Sequence, residues 1–86
     1  MTDKELLQKY LDYCIYRHLA SSNLFESYEY LEQDDEFNSW QALIEWGHYK
    51  TQCNHILDSL NYRDYDRLCD LAGYEVDESI RARGQE

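Results

Sequence analysis

Residues 39–60 read SWQALIEWGHYKTQCNHILDSL, and their pattern predicts one long amphipathic helix. Large apolar side chains recur every three or four residues, which places them along one side of a helix. This predicted core stripe consists of Leu43, Trp46, Tyr49, Cys53, Ile56, Leu57 and Leu60. Asn38 or Ser39 is a suitable N-cap for the helix. Trp40 and Ile44 lie one turn apart on the side opposite the stripe, so we expect them outside the core.

Two further helices are predicted before this one. Thr2 and Glu5 have the spacing of a capping box, which favours a helix start, and the first helix is expected over residues 2–21. Its predicted apolar stripe comprises Leu7, Tyr10, Leu11, Cys14, Ile15, His18 and Leu19, with Leu6 and Tyr13 near the border. The segments that follow are assigned as a loop over 21–23, a second helix over 24–33 capped by Asn23, and a turn over 33–39.

Breaker residues are rare, which favours helices joined by short loops. The chain has no Pro and three Gly. The apolar pattern is interrupted at Asn61, and a short last helix is predicted over 62–72 with Gly73 at its C-cap. Residues 74–86 are expected to form a last helical turn or a frayed end. Gly47, inside the long helix, is expected to allow close approach of a neighbouring helix. The predicted fold is all-α, a small antiparallel bundle of three to four helices.

Length and charge narrow the possible functions. The 86 residues suit a single acidic helical domain over residues 1–86. Eighteen acids against eight bases give a net charge of −10, which argues against direct binding to nucleic acid or to an anionic membrane surface. If this charge acts in function, the partner is basic; the alternative is that it only keeps the protein soluble.

The compartment is expected to be the cytoplasm. No stretch approaches the roughly 18–20 apolar residues that span a bilayer. The N-terminal sequence MTDKELLQKYLDYC lacks the basic and apolar regions of a signal peptide. Cys14, Cys53 and Cys69 are odd in number and widely spaced, so we interpret them as reduced core thiols.

The negative charge is concentrated in one part of the chain. Residues 26–36 read ESYEYLEQDDE, and no Lys or Arg occurs between His18 and Tyr49. The acids in that window are Glu26, Glu29, Glu32, Asp34, Asp35, Glu36 and Glu45. Solvated helices commonly mix signs, because Glu–Lys pairs one turn apart are stabilising. Three of the acids recur every three residues, about 4.5 Å apart along a helix axis, which is of the order of the phosphate spacing in nucleic acid.

Aromatic residues accompany the acids. Tyr13 and Tyr16 are expected towards the charged side of the first helix, and Tyr30 away from the apolar side of the second. Tyr and Trp are common in interfaces, because each buries a large area at a small cost in conformational entropy. The predicted partner-binding residues are Glu26, Glu29, Tyr30, Glu32, Asp34, Asp35, Glu36, Trp40, Ile44 and Glu45. The alternative is that Tyr30 and Trp40 cover a second core contact.

The sequence offers little for catalysis or metal binding. Three His and three Cys are present, but no C-x-x-C pair occurs. His48 and His55 are two helical turns apart, about 10 Å along the axis, which is too far for one ion. No Gly-rich phosphate loop or nucleophile elbow is found. We therefore expect no enzyme activity, no metal site and no cofactor, and we interpret His18 as a core histidine.

Two functional hypotheses follow. In the first, the protein binds and blocks a basic, nucleic-acid-handling partner, with carboxylates in the place of phosphates and Tyr or Trp as anchors. In composition alone, the chain resembles the DNA-mimic inhibitors that phages and mobile elements direct at restriction, CRISPR or transcription machinery. In the second, the protein is a helical adaptor or a homodimer that uses Trp40, Ile44 and nearby tyrosines as an apolar interface, and the acids serve solubility.

Overall fold

The structure is a computed structural model, and it describes residues 1–72. These residues form three α-helices and contain no strand, which confirms the all-α prediction. The helices are α1 (Asp3–Glu32), α2 (Glu36–Asp58) and α3 (Tyr62–Ala72). Over this part of the chain, no helix combines the length and the apolar character needed to cross a membrane. The predicted C-cap at Gly73 and the predictions for residues 74–86 lie outside the described residues.

Side chains cap the starts of α1 and α3. The Thr2 hydroxyl accepts a hydrogen bond from the Glu5 N–H at 3.2 Å, so the predicted cap of α1 is confirmed. At α3, the Asn61 side chain accepts from the Asp64 N–H at 3.1 Å, and the Asp64 carboxylate accepts from the Asn61 N–H at 3.0 Å. This reciprocal pair is a capping box. The pattern break at Asn61 is therefore the start signal of α3.

The predicted loop over residues 21–23 is wrong, because α1 continues through it. The segment contains no Gly or Pro, and Ser and Asn cost only about 0.5 kcal/mol each in a helix. Asn23 and Ser27 are both buried, so this part of α1 faces the interior. Burial of that side outweighs the weak preference of Ser and Asn for loops, and the predicted second helix is the second half of α1.

The turn between α1 and α2 is also shorter than predicted. It consists of residues 33–35, and α2 begins at Glu36. Asp35 caps the helix, because its Oδ1 atom accepts a hydrogen bond from the Asn38 N–H at 3.2 Å. Neither Asn38 nor Ser39 is the N-cap that the sequence predicted, and Ser39 is buried inside the first turns of α2.

The buried side of α1 differs from the predicted stripe. The buried residues are Leu6, Tyr13, Ala20, Asn23 and Ser27. Leu6 is 3% exposed and its neighbour Leu7 is 37% exposed, so the side of α1 that carries Leu6 is the buried one. Most of the predicted stripe is outside: Leu7, Leu11, Ile15 and His18 are exposed. The buried side is rich in small and polar residues, so a count of apolar residues favours the wrong side.

The predicted core stripe of α2 is largely confirmed. Cys53, Leu57 and Leu60 are buried, and Trp46, Tyr49 and Ile56 are half-buried. Leu43 is the exception, since it is exposed. Gly47 was predicted to allow close approach of a neighbouring helix. This prediction is wrong for the helices described, because no described atom lies within 4 Å of a Cβ added at Gly47.

Contacts between residues divide the chain into two compact units. Unit 1 combines Met1–Tyr13 with the chain from Asn54 onward, and unit 2 is Cys14–Cys53. The prediction of a single domain stays a prediction. In unit 1, the fully buried side chain is Leu68, and Arg67 forms a two-bond ion pair with Asp3, with Nε–Oδ1 and Nη2–Oδ2 distances of 3.0 and 2.6 Å.

Candidate functional site

Unit 2 brings the second half of α1 against α2 through two pairs of residues. The Ser27 and Ser39 hydroxyl oxygens are 2.8 Å apart and buried, so they share a hydrogen bond. The Tyr16 and Tyr49 rings stack, with centroids 6.1 Å apart and an interplanar angle of 29°. Small side chains at the serine pair allow the helices to approach next to the turn. This contact positions the last turn of α1 and the first turns of α2.

An apolar groove lies at this end of unit 2. It has a volume of about 550 Å³ and is lined by Leu31, Glu36, Phe37, Ser39, Trp40 and Leu43. Phe37 is 69% exposed and Trp40 is 59% exposed, so two large aromatic side chains contact solvent across much of their area. Exposed apolar surface of this kind, rimmed by polar residues, is typical of interaction sites.

The groove exists because α2 has two apolar sides. Phe37, Trp40 and Ile44 recur at steps of three and four residues, which gives a second stripe beside the one that packs inside. All three are exposed. The predictions that Trp40 and Ile44 lie outside the core are therefore confirmed, and no described residue covers this side of α2 enough to bury it.

One acid lines the groove, and a second is next to a lining residue in the chain. Glu36 lines it, and Glu32 follows the lining residue Leu31 in the chain. The exposed acids of unit 2 are Glu26, Glu29, Glu32, Asp34, Glu36 and Glu45. None of them forms an ion pair with another residue among those described. Within residues 1–72, the charge that the sequence concentrates here therefore has no ion-pair partner.

The predicted site residues divide into groups. Glu36 and Trp40 are brought together in the groove, and Ile44 follows one turn along α2. Glu26 and Glu29 lie about 140° and 160° around α1 from Leu31, at about 100° per residue, so they face away from the groove. By the same count Glu45 is about 140° around α2 from Trp40.

The two aspartates of the turn have structural roles. Asp34 has a φ of 56°, the left-handed conformation that Asp and Asn tolerate better than most residues. Both carboxylate oxygens of Asp35 are engaged by Asn38, from its N–H at 3.2 Å and from its side-chain amide at 2.6 Å. These residues form the turn as well as adding charge, so a binding role for either has to be separated from folding.

Tyr30 contributes to the turn through its main chain. Its carbonyl oxygen accepts hydrogen bonds from the N–H groups of Gln33 and Asp35, at 3.1 and 2.8 Å. The residue is half-buried. Tyr13 and Tyr16, which were predicted towards the charged side of α1, are respectively buried and half-buried, so that prediction is wrong.

Sequence reasoning missed three residues of the groove. Leu43 was assigned to the core, Leu31 lay in the predicted second helix, and Phe37 lay in the predicted turn. The available signal was the spacing of Phe37, Trp40 and Ile44, which becomes a helical stripe once α2 begins at Glu36. Helical periodicity shows that a side is apolar, but it does not show which of two apolar sides is covered.

Other reactive side chains lie outside the groove. A shallow cavity of about 330 Å³ is lined by Cys14, Arg17, His18 and Ser21, and the exposed His18 corrects its assignment as a core histidine. The three cysteines are free, and burial raises the pKa of the Cys53 thiol. Within residues 1–72 no three His, Cys, Asp or Glu side chains are grouped as a metal site.

The arrangement in unit 2 is suited to binding a protein surface. Its apolar groove can bury part of a partner, and its acids can attract basic groups. Comparison with protein families, with curated proteins and with solved structures finds no match to this chain.

Proposed function

We propose that this protein binds a basic, nucleic-acid-handling protein and occupies the surface that the nucleic acid would use. The observation that carries the proposal is the groove with exposed Phe37 and Trp40, beside acids that have no ion-pair partner among the described residues. The protein would act as a small acidic inhibitor of the phage type, directed at restriction or CRISPR machinery. We also propose that neighbouring helices are antiparallel.

The exposed aromatic residues support a protein partner. Burying apolar surface contributes about 25 cal/mol per Å², and Trp is among the residues that contribute most to interfaces. Trp40 and Phe37 are exposed in the isolated chain, so much of their area is available for burial in a complex. A purely solvated helix surface has no physical need for this pair.

The charge supports a basic surface on that partner. Unit 2 contains seven acids and two bases, Arg17 and Lys50. Lys and Arg on a partner would pair with carboxylates that have no ion-pair partner among residues 1–72, and complementary charge accelerates association. Surfaces that hold nucleic acid are rich in Lys and Arg, and they bind phosphates at spacings of a few ångströms. The steps of Glu26, Glu29 and Glu32 along α1 are of that order.

Competition with nucleic acid is the experiment that tests this proposal. The tagged protein is used to capture partners, which are identified by mass spectrometry, and the complex is then challenged with double-stranded DNA and with increasing salt. We expect nucleic acid to displace the protein, and salt to weaken the complex sharply. A complex that survives both treatments would contradict the proposal.

Charge variants make the test specific. The test variant carries Glu26→Gln, Glu29→Gln, Asp34→Asn and Asp35→Asn, and Asn retains both the left-handed conformation and the N-cap. A control for charge loss in unit 1 carries Asp66→Asn and Asp70→Asn, which are exposed on α3. We expect partner binding to fall at least about tenfold in the first variant only, which corresponds to 1.4 kcal/mol. Unchanged binding in the first variant would refute mimicry.

A homodimer is the second candidate, and the exposed Trp40 and Ile44 favour it. An apolar dimer interface is insensitive to salt. Analytical ultracentrifugation should then show a dimer at high salt that Trp40→Ala converts to a monomer. A monomer at high protein concentration would exclude this candidate.

A further inference from the structure

We infer that the groove of unit 2 binds a basic amphipathic helix of the partner, with an apolar side chain of that helix inserted beside Trp40. This inference rests on the proposed function and specifies its mode of recognition. Lys or Arg residues that flank the inserted side chain would meet Glu32 and Glu36. The groove is lined by two helices, its apolar side continues along α2, and an acid lines it.

Two helices supply the lining of the groove. The last turn of α1 and the first turns of α2 form its two walls, with Leu31 on one side and Phe37, Trp40 and Leu43 on the other. Its volume of about 550 Å³ is large enough for one or more large side chains. An amphipathic helix commonly binds such a groove through apolar residues at i, i+3, i+4 and i+7.

The apolar side extends along α2 beyond the groove. Phe37, Trp40, Ile44 and Gly47 follow one another at steps of three, four and three residues, so they lie along one side of the helix. Ten residues of helix cover about 15 Å, or nearly three turns. That length is sufficient for a second helix to pack along α2 instead of making contact at a single point.

Gly47 fits the same explanation. A Gly inside a helix costs about 1 kcal/mol relative to Ala, and among the described residues nothing lies within 4 Å of the position of its missing Cβ. No packing inside the described part of the protein requires a Gly here. Its absent side chain leaves the backbone of α2 open on the side that carries Ile44, where a partner helix can approach closely.

Charge selects a basic helix over a second copy of this chain. A symmetric dimer through the groove would place Glu36 and its neighbours close to the same acids of the other copy. Like charges in a contact are unfavourable, and the nearest bases of unit 2, Arg17 and Lys50, lie outside residues 18–49. In a helix with Lys or Arg beside its apolar residues, the bases pair with the acids while the apolar side chains fill the groove.

The experiment uses three synthetic peptides and the full-length protein. The probe is a 14-residue helical peptide with Leu at i, i+3, i+4 and i+7 and Lys elsewhere. In one control peptide every Leu is Ala, and in the other every Lys is Glu. Binding is followed by Trp40 fluorescence in a Trp46→Phe variant and by the amide shifts of the labelled protein. We expect the probe to bind at least about tenfold more tightly than either control and to shift amides over residues 31–47.

Protein variants separate the groove from the charge. Trp40→Ala, followed by the amide shifts alone because the variant lacks the fluorescent residue, should weaken binding of the probe at least about tenfold, since it removes a large part of the groove wall. Phe25→Ala is the matched control, since Phe25 is 64% exposed on α1 and does not line the groove. It should change binding less than about twofold, and circular dichroism should show both variants folded.

Three results would overturn the inference. The first is equal binding of the peptide without Leu, which means that charge alone acts and leaves the proposed function intact. The second is an absence of probe binding, or amide shifts confined to residues outside 31–47. The third is a dimer in sedimentation that Trp40→Ala abolishes, which assigns the groove to a second copy. Failure of the proposed function is read separately, from partner capture that charge removal and competing DNA leave unchanged.

Discussion

The hydroxyl groups of Ser27 and Ser39 are hydrogen-bonded to each other at 2.8 Å, inside the contact between α1 and α2. No buried polar side-chain atom of the described residues lacks a hydrogen-bond partner, and this pair is part of the reason. The two residues hold the ends of the helices together beside the turn. They therefore support the walls of the groove, which Ser39 also lines although it is buried.

The serine pair predicts strong coupling between two substitutions. Ser27→Ala or Ser39→Ala alone leaves the other buried hydroxyl without its partner, and we expect each to lower the free energy of unfolding by about 1 kcal/mol. The double variant should lose less than the sum, because neither hydroxyl is then left buried and unpaired. Urea unfolding of the four proteins measures this coupling, and additive losses would contradict it.

Leu6 and Leu7 test which side of α1 is buried. Leu6→Ala should lower the free energy of unfolding by about 2 to 5 kcal/mol, because Leu6 is 3% exposed and its removal leaves a cavity. Leu7→Ala should cost less than about 1 kcal/mol, since Leu7 is already partly in solvent. Thermal and urea unfolding of the matched pair give the answer, and the reverse order would restore the stripe predicted from sequence.

The ion pair between Asp3 and Arg67 predicts a pH dependence at acid pH. Hydrogen bonding to Arg67 lowers the pKa of Asp3 below its ordinary value of 3.8. A carboxyl whose pKa is lower in the folded state stabilises the fold above the unfolded pKa, and this contribution is lost as the pH falls through the folded pKa. The dependence is therefore confined to pH values below about 4, and salt reduces it because both side chains are half-exposed.

Arg67→Gln should remove this effect, and it has a natural control. In that variant the pKa of Asp3, followed by carboxyl NMR, should rise towards its ordinary value. Arg63→Gln should leave it unchanged, because Arg63 lies over the Tyr62 ring, 5.9 Å from its centroid, and is not bonded to Asp3. An unchanged pKa of Asp3 in Arg67→Gln would show that the pair does not form in solution.

The turn predicts opposite effects at adjacent residues. Asp34→Gly should raise the free energy of unfolding by about 0.5 kcal/mol, because Gly adopts the left-handed conformation without steric cost. Asp35→Ala should lower it by about 1 kcal/mol, since the N-cap of α2 is lost, while Asp35→Asn should retain most of the cap. Chemical unfolding measures all three, and equal effects of Asp35→Ala and Asp35→Asn would show that the charge, and not the cap, matters.

The helical fold could be predicted from sequence where large apolar residues mark the buried side. Cys53 and Leu57 made the core of α2 recognisable. On α1 the close contact uses Ala20 and Ser27, and small residues carry no apolar signal even though they allow helices to approach. Residues 21–23, which are Ser and Asn, were consequently interpreted as a loop. They are helical because α1 continues through them on its buried side.

The candidate site was predictable in part for the same reason. Trp40 and Ile44 could be placed outside because they lie opposite a clear stripe, and both are exposed. Leu31 could not be placed, because its exposure depends on where α1 ends and how the turn directs α2. The acids are visible in the sequence, but their position relative to the groove depends on where α2 begins. The sequence predicted an N-cap at Asn38 or Ser39, whereas α2 begins at Glu36.

Gly47 links the stability of the free protein to binding. Gly47→Ala should raise the free energy of unfolding by about 0.5 to 1 kcal/mol, because Ala favours the helix and its Cβ meets no described atom. The Thr51 hydroxyl, which donates to the Gly47 carbonyl at 2.9 Å, keeps its acceptor in this variant.

If a partner helix packs against this side of α2, Gly47→Ala should weaken binding of the Leu–Lys peptide severalfold, and Gly47→Leu should weaken it more. Gln52→Ala, about 140° around α2 from Gly47, is the control and should leave binding unchanged. Greater stability with undiminished peptide binding would show that no backbone approaches α2 at Gly47, and the partner contact would then end near Ile44.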